Sequence, residues 1–300
     1  MKTYVMEIKV TAKSSISHNG GEINGITAQL RREKFVDEKG SVFEIPVISG
    51  NSIRGKMRDI YAFDVLTKEN GDRLKLSADD FNLMFSGGSL ESTGSKLIDI
   101  EKVKKLRADL PGLSIFGCSV GNVILPGKLQ IGKMLPICKE SEHLIPDNFK
   151  DGVEIKSIWD LCQREMYTRK DDQKDENLNV FLSDEAKEGE KAIVQMQYYI
   201  ETIAAGTVFY WKVCLTDTND IETGAFLDIL QKFSDTPYVL GGNGRIGFGD
   251  IGIEIIFTKT VNSDLELDDD FVKYVSTYND NKKDVSGYFN KNIVEDNLLG

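Results

Sequence analysis

Apolar and polar residues alternate at the start of the chain, with Val5 the one apolar residue out of phase. Tyr4, Met6, Ile8, Val10 and Ala12 fall on one side and Glu7, Lys9 and Thr11 on the other, a period of two that predicts a half-buried strand over residues 3–12. Ser14–Gly25 is polar with three glycines and reads as a loop. Gln29–Val36 and Phe43–Ile48 read as two short strands around Asp37–Gly40, whose glycine suits a tight turn. Ile53, Met57, Ile60, Tyr61 and Val65 then recur at helical spacing, with Asn51 or Ser52 as the N-cap whose side-chain oxygen accepts from the first free amides.

The pattern loosens between residues 67 and 112, a helical and loop-like insertion, and resumes as strand alternation over Val123–Cys138. Residues 139–192 are the most polar stretch, centred on Lys170–Glu176, and read as an insertion within one domain. Two strands follow over Ile193–Leu215 around Ala204–Gly206, then an amphipathic helix over Gly224–Phe233, then a glycine-rich loop and strand over Val239–Phe257. Residues 263–300 form an acidic tail in which Phe271–Val275 has the spacing of a short helix. No internal repeat is present. Strand, helix, strands, helix, strand is the order of a split βαβ sheet, so the predicted fold is α+β and ferredoxin-like, a single domain over residues 1–300 with insertions.

Composition narrows the function classes. No apolar run reaches the roughly 18 residues of a membrane span, and the alternating N-terminus is not a signal sequence, so a cytoplasmic location is expected. Cys118, Cys138, Cys162 and Cys214 are scattered without a C-x-x-C pair, and the only histidines are His18 and His143. Reduced thiols, no structural metal and no cofactor are therefore expected. The net charge of -11 argues against a generic nucleic-acid binder. Acid is concentrated in Asp217–Glu222 and Ser263–Asp270, however, whereas Arg31, Arg32, Lys34, Arg54, Lys56 and Arg58 lie close together early in the chain. A local basic stripe of that kind binds RNA while acidic surface elsewhere limits unspecific binding.

Two constellations carry chemistry. In Pro46–Arg58 a glycine precedes a helix, whose N-terminus offers free amides and a positive dipole to phosphate, with Arg54 and Arg58 on one face. The alternative is an ordinary capped helix with solvated cations. Gly241–Gly249 holds five glycines around Arg245 and Phe248, which brings backbone close to a ligand or to another segment. It is neither a P-loop nor a dinucleotide fingerprint, and a ligand-free hairpin is the alternative. A third segment, Gly112–Ser119, reads alone as a short buried helix end.

Taken in order, the first strand, the run Pro46-x-x-Ser49-Gly50-x-Ser52-x-x-Gly55-x-x-Arg58, the Leu113, Phe116, Gly117 and Ser119 group, the Ala205-Gly206-Thr207 turn and Gly241-Gly242-x-x-x-x-Gly247-x-Gly249 resemble the CRISPR-associated RAMP superfamily. The likeness spans residues 3 to 257 and is greatest to the backbone subunits, the type IV subunit first and the type III subunit next. It implies a modified RNA-recognition-type palm, a helical insertion over 67–112 and a protruding thumb within 145–192. It also implies a subunit that polymerises head to tail along crRNA, assembles with other effector subunits and presents the guide for pairing with target nucleic acid. Carried over by position, Ser49, Gly50, Asn51, Ser52, Arg54 and Lys56 would lie at the RNA backbone, with Arg31, Arg32 and Arg58 beside them. Arg164, Arg169 and Lys170 would reach RNA from the thumb, and Gly244 and Arg245 from a loop packed beside the first helix.

Two departures bear on chemistry. Relatives commonly carry a Pro-Gly-Ser-Ser run where this chain has Ser49-Gly50-Asn51-Ser52. Type III relatives that cut target RNA carry an aspartate in the loop after the first strand; here Ser17–Thr27 offers only Glu22 and His18. Binding without catalysis is therefore expected. The alternatives are a type III-like subunit that cleaves target RNA with metal help and a ligand-free interaction protein.

Overall fold

The computed structural model describes residues 1–68, 70–88, 99–120, 123–168, 197–261 and 271–289. Its strands are β1 (Lys2–Ala12), β2 (Asn19–Asn24), β3 (Thr27–Leu30), β4 (Arg32–Val36), β5 (Val42–Pro46), β6 (Cys118–Val120), β7 (Val123–Leu125), β8 (Leu129–Ile131), β9 (Leu135–Pro136), β10 (Cys162–Thr168), β11 (Gln197–Ile203), β12 (Val208–Thr218) and β13 (Ile251–Val261). Helices are α1 (Gly50–Leu66), α2 (Ala78–Phe81), α3 (Ile100–Asp109), α4 (Pro111–Phe116), α5 (Ile158–Leu161), α6 (Asp220–Asp235), α7 (Phe271–Asn281) and α8 (Ser286–Phe289). A π-helical turn, Asn82–Ser86, continues α2.

The central sheet has the order β13–β1–β12–β8, with β9 also pairing on β12, and β1 is antiparallel to both its neighbours. Counting only the core elements, the order is four-one-three-two, the ferredoxin-like arrangement that the order of elements predicts, and the α+β class stands. The alternation of β1 decides its orientation: Tyr4, Met6, Ile8, Val10 and Ala12 are all buried. They join Ile53, Met57 and Tyr61 of α1 and Phe226, Ile229, Leu230 and Phe233 of α6 in one core. Trp211 on β12 completes it, its indole N–H donating to the Gly132 carbonyl at 3.2 Å. Tyr210, one residue back and so on the opposite face, packs with Ile137, Ile145 and Phe149 in a smaller cluster.

A second sheet, β10–β11–β3–β2, hangs from the end of β1 through the bridge Ile16–Ile203, and β4 pairs with β5 as a separate hairpin. Several sequence expectations change here. The expected loop Ser14–Gly25 contains β2, held by main-chain pairing to β3, which polar and glycine-rich residues do not advertise. The expected strand Gln29–Val36 divides at Arg31, whose N–H bonds the His18 carbonyl at 2.8 Å in register with β2 while its carbonyl accepts the Val47 N–H at 3.1 Å in register with β5. The two strands expected around Ala204–Gly206 both form, β11 in the second sheet and β12 in the first. The helix cap is Ser49, not Asn51 or Ser52. Ile48 exchanges two hydrogen bonds with Met134, so Ser49 is the last extended residue and the next two are already helical.

The end of the described chain is packed. In α7, Tyr274 and Tyr278 lie four apart, share a face and are buried, and the Tyr274 hydroxyl meets that of Tyr4 at 3.1 Å. Helix α7 crosses α6 at Gly224, where a β-carbon would stand 2.0 Å from the Tyr274 carbonyl oxygen and 2.9 Å from the Tyr278 β-carbon. Gly224→Ala gains about 1 kcal/mol of helix propensity but must push α7 away, and overpacking costs roughly 1–3 kcal/mol. The variant is expected to have a lower urea midpoint than the parent; a higher midpoint would mean that α7 does not press on α6.

A candidate nucleic-acid interface

Helix α1 begins against the central sheet. A β-carbon on Gly50 would stand 2.5 Å from the Ile131 carbonyl oxygen, so only glycine lets the helix start there. Ser49 caps the first turn, its Oγ accepting from the Ser52 N–H at 3.3 Å and its carbonyl from the Ile53 N–H at 3.2 Å. The Gly50 and Asn51 amides meet no protein acceptor among the described residues, and Asn51 is exposed. They are the groups through which a helix N-terminus holds an anion.

The two arginines of this helix face inward. Arg54 donates to the carbonyls of Phe116 and Leu129, and Arg58 to those of Phe116 and Gly117 at 3.1 and 3.2 Å, with its guanidinium over the Phe116 ring. Arg107 reaches the Ser114 and Pro126 carbonyls at 3.2 and 3.0 Å. Together they satisfy the orphan carbonyls at the C-terminus of α4, where cations also oppose the negative end of the dipole. Burial lowers the pKa of both Arg54 and Arg58, although a guanidinium stays charged in proteins. The Pro46–Arg58 run and the Gly112–Ser119 segment are thus two halves of one brace. Lys56 points elsewhere and is exposed.

Arg32 is likewise committed: it forms a two-pronged pair with Glu201 at 2.8 Å on each arm, and Glu201 also accepts the Leu30 N–H. That pair pins β4 to β11 and pulls the Glu201 carboxyl below its ordinary range, through the Arg32 hydrogen bonds first. Arg31 is half exposed, 3.9 Å from Glu33. Arg164, exposed on β10, sits over the Tyr199 ring, and Arg245 is exposed in the glycine-rich loop. Gly244 packs under Tyr238. Arg169 and Lys170 lie outside the described residues, as does the Glu22 side chain.

These pieces meet at residues 15–19, where the sequence predicts only a loop. Ser17 is fully buried; its carbonyl accepts the Gly242 N–H at 2.6 Å and its Oγ the Asn243 side-chain amide at 3.2 Å. A β-carbon on Gly241 would stand 2.4 Å from the same carbonyl. Ser15 accepts from the Gly249 N–H at 2.9 Å and from the Gln163 side chain at 3.0 Å. His18 accepts the Ser49 N–H on Nε2 at 3.2 Å, while its carbonyl accepts from Arg31. The glycine-rich loop therefore lies beside this segment, which in turn touches the first helix. Asn243, at φ +61, carried the only legible signal, an asparagine within a glycine run. Nothing in the sequence marks Ser17, because Gly242 and Asn243, which tie it to the glycine-rich loop, lie more than two hundred residues away.

The His18 ring accepts at Nε2, so it is neutral with its proton on Nδ1. Burial first, and the nearby Arg31 charge second, lower its pKa below the ordinary 6.5. The unfolded chain therefore binds a proton more readily, and the stability His18 contributes is present above pH 6.5 and lost as pH falls toward the lower folded value. The parent protein is expected to lose urea stability between pH 7.5 and pH 5.5 by more than His18→Gln does, glutamine offering an acceptor that does not titrate. Equal losses would mean that His18 is not held neutral in the fold.

No family model matches the sequence, and no curated protein matches it. Among the described residues, no group of three or more His, Cys, Asp or Glu side chains is placed to hold a metal ion, and no helix is long and apolar enough to cross a membrane. Among solved structures, the chain is similar to one chain of a "Type IV-B CRISPR Complex", with a TM-score of 0.57, 21% identity, and coverage of 88% of this chain and 92% of that chain. At that identity the likeness shows that the two chains share a fold.

Proposed function

We propose that this protein is a CRISPR effector subunit of the RAMP superfamily that polymerises along crRNA as a backbone and holds the guide for pairing with target nucleic acid, without cleaving it. One observation carries the reading: residues 15–19 bind the start of α1 and the loop 241–249 to each other, and the elements so joined carry two unfilled helix amides and the exposed cations Arg31, Lys56 and Arg245. The fold shared with a chain of the type IV-B complex supports the same reading. Head-to-tail copies and other effector subunits are the partners it implies, in the cytoplasm.

Within this reading the basic residues divide. Lys56, Arg31, Arg245 and Arg164 meet phosphate, whereas Arg32, Arg54 and Arg58 hold the elements that present them. The net charge of -11 then belongs to surfaces away from the guide. Cleavage as in type III would need a base or a metal ligand near residues 17–27. His18 has its Nε2 lone pair on the Ser49 amide, which favours binding alone.

Lys56→Ala combined with Arg245→Ala is expected to weaken binding to single-stranded RNA of any sequence. It should flatten the log–log salt dependence by up to about 1.4, the release expected for two phosphate contacts on a single strand. Arg54→Ala should instead lower the thermal midpoint and leave the salt slope of the folded fraction unchanged. Titrations by fluorescence anisotropy at several salt concentrations decide it, and an unaltered slope in the double variant would remove these two cations from the RNA path.

A further inference from the structure

Among the described residues, three other than glycine have left-handed backbone, Asp217, Tyr238 and Asn243, at φ +55, +54 and +61. Aspartate and asparagine enter that region at modest cost; a bulky aromatic residue does so only when the surroundings require it. Two of the three are accounted for by internal bonding. Asp217 donates its N–H to Thr3 Oγ1 at 3.1 Å, near the irregularity between β1 and β12. Asn243 donates its side-chain amide to Ser17 Oγ.

Tyr238 has no such return. It is 48% exposed, and its ring makes no hydrogen bond, stacking or cation contact among the described residues. Its two successors, Val239 and Leu240, are buried, and Leu240 N–H is bonded to the Gly249 carbonyl. Gly244 closes on it from the other side of the loop; a β-carbon there would stand 2.8 Å from the Tyr238 carbonyl oxygen. The loop thus holds a strained backbone and directs an aromatic side chain to solvent. It does so in the same loop as exposed Arg245 and next to residues bound to Ser17. Backbone strain unrepaid inside the fold is a mark of a residue kept for an external contact.

On this basis, and resting on the guide-RNA reading, we infer that Tyr238 is a stacking platform for a nucleobase, with Arg245 on the adjoining phosphate. An aromatic face beside a cation in a glycine-rich turn suits a base splayed from single-stranded RNA. Stacking tolerates any base because every base has a π-face. No bond is made or broken.

The test uses the full chain and a labelled single-stranded RNA carrying 5-bromouridine. Tyr238→Gly removes the ring and suits the left-handed turn, so its thermal midpoint is expected to be no lower than the parent's. Its RNA affinity should fall by about 5- to 150-fold, the range that loss of one base–aromatic stack gives, with the salt slope unchanged because no phosphate contact is lost. Tyr238→Phe should retain affinity. Irradiation of the parent complex should cross-link RNA to the peptide containing Tyr238. Parental affinity in Tyr238→Gly without that cross-link overturns the inference, and more firmly so if the variant instead fails to self-associate, which would make the ring a protein contact. If the parent protein itself binds no RNA, the guide-RNA reading falls and takes this inference with it.

Discussion

Buried backbone must find hydrogen-bond partners, and the described structure depends on how that constraint is met where β1 leaves the central sheet. Past Ala12 the chain is still buried at Ile16, Ser17 and His18, but the ladders to β12 and β13 have ended. An unpaired buried polar group costs about 1–3 kcal/mol. Partners therefore come from far along the chain: Ile203 for Ile16, Gly242 for Ser17, Arg31 and Ser49 for His18. Satisfying one short segment draws the second sheet, the glycine-rich loop and the first helix to the same place. The glycines follow from that closeness, since a β-carbon on Gly241 or Gly50 would collide with a carbonyl oxygen.

The same logic governs the charges. Arginine offers several donors in a planar fork, so it serves equally to bind phosphate and to cap stranded carbonyls. Arg54, Arg58 and Arg107 take the second role around Ser114–Gly117, and Arg32 is spent on Glu201. A basic stripe in sequence is thus partly a record of carbonyls needing donors. The charge left exposed is the smaller set that the sheet and helix turn outward.

How much of this was legible follows from range. The alternation of β1, the apolar face of α1 and the pattern of α6 are local signals, and all three elements form where those signals lie. The ferredoxin-like order followed from counting such elements. What stayed hidden was non-local: the pairing of polar β2 with β3, the parting of β11 from β12, and the junction at Ser17. The helix cap moved to Ser49 for the same reason, because the Ile48–Met134 bridge ends the extended segment there. Arg54 and Arg58 were rightly placed on one helix face, but which way that face points is decided by α4, half a hundred residues downstream.

Hydrogen–deuterium exchange with and without bound RNA reports whether residues 15–19 gather one RNA-binding surface from the start of α1 and the glycine-rich loop. RNA is expected to slow exchange together at the Gly50 and Asn51 amides and across 242–247, while α7, packed on α6, is unaffected. Bound RNA that leaves both segments exchanging as before and protects another surface would contradict it.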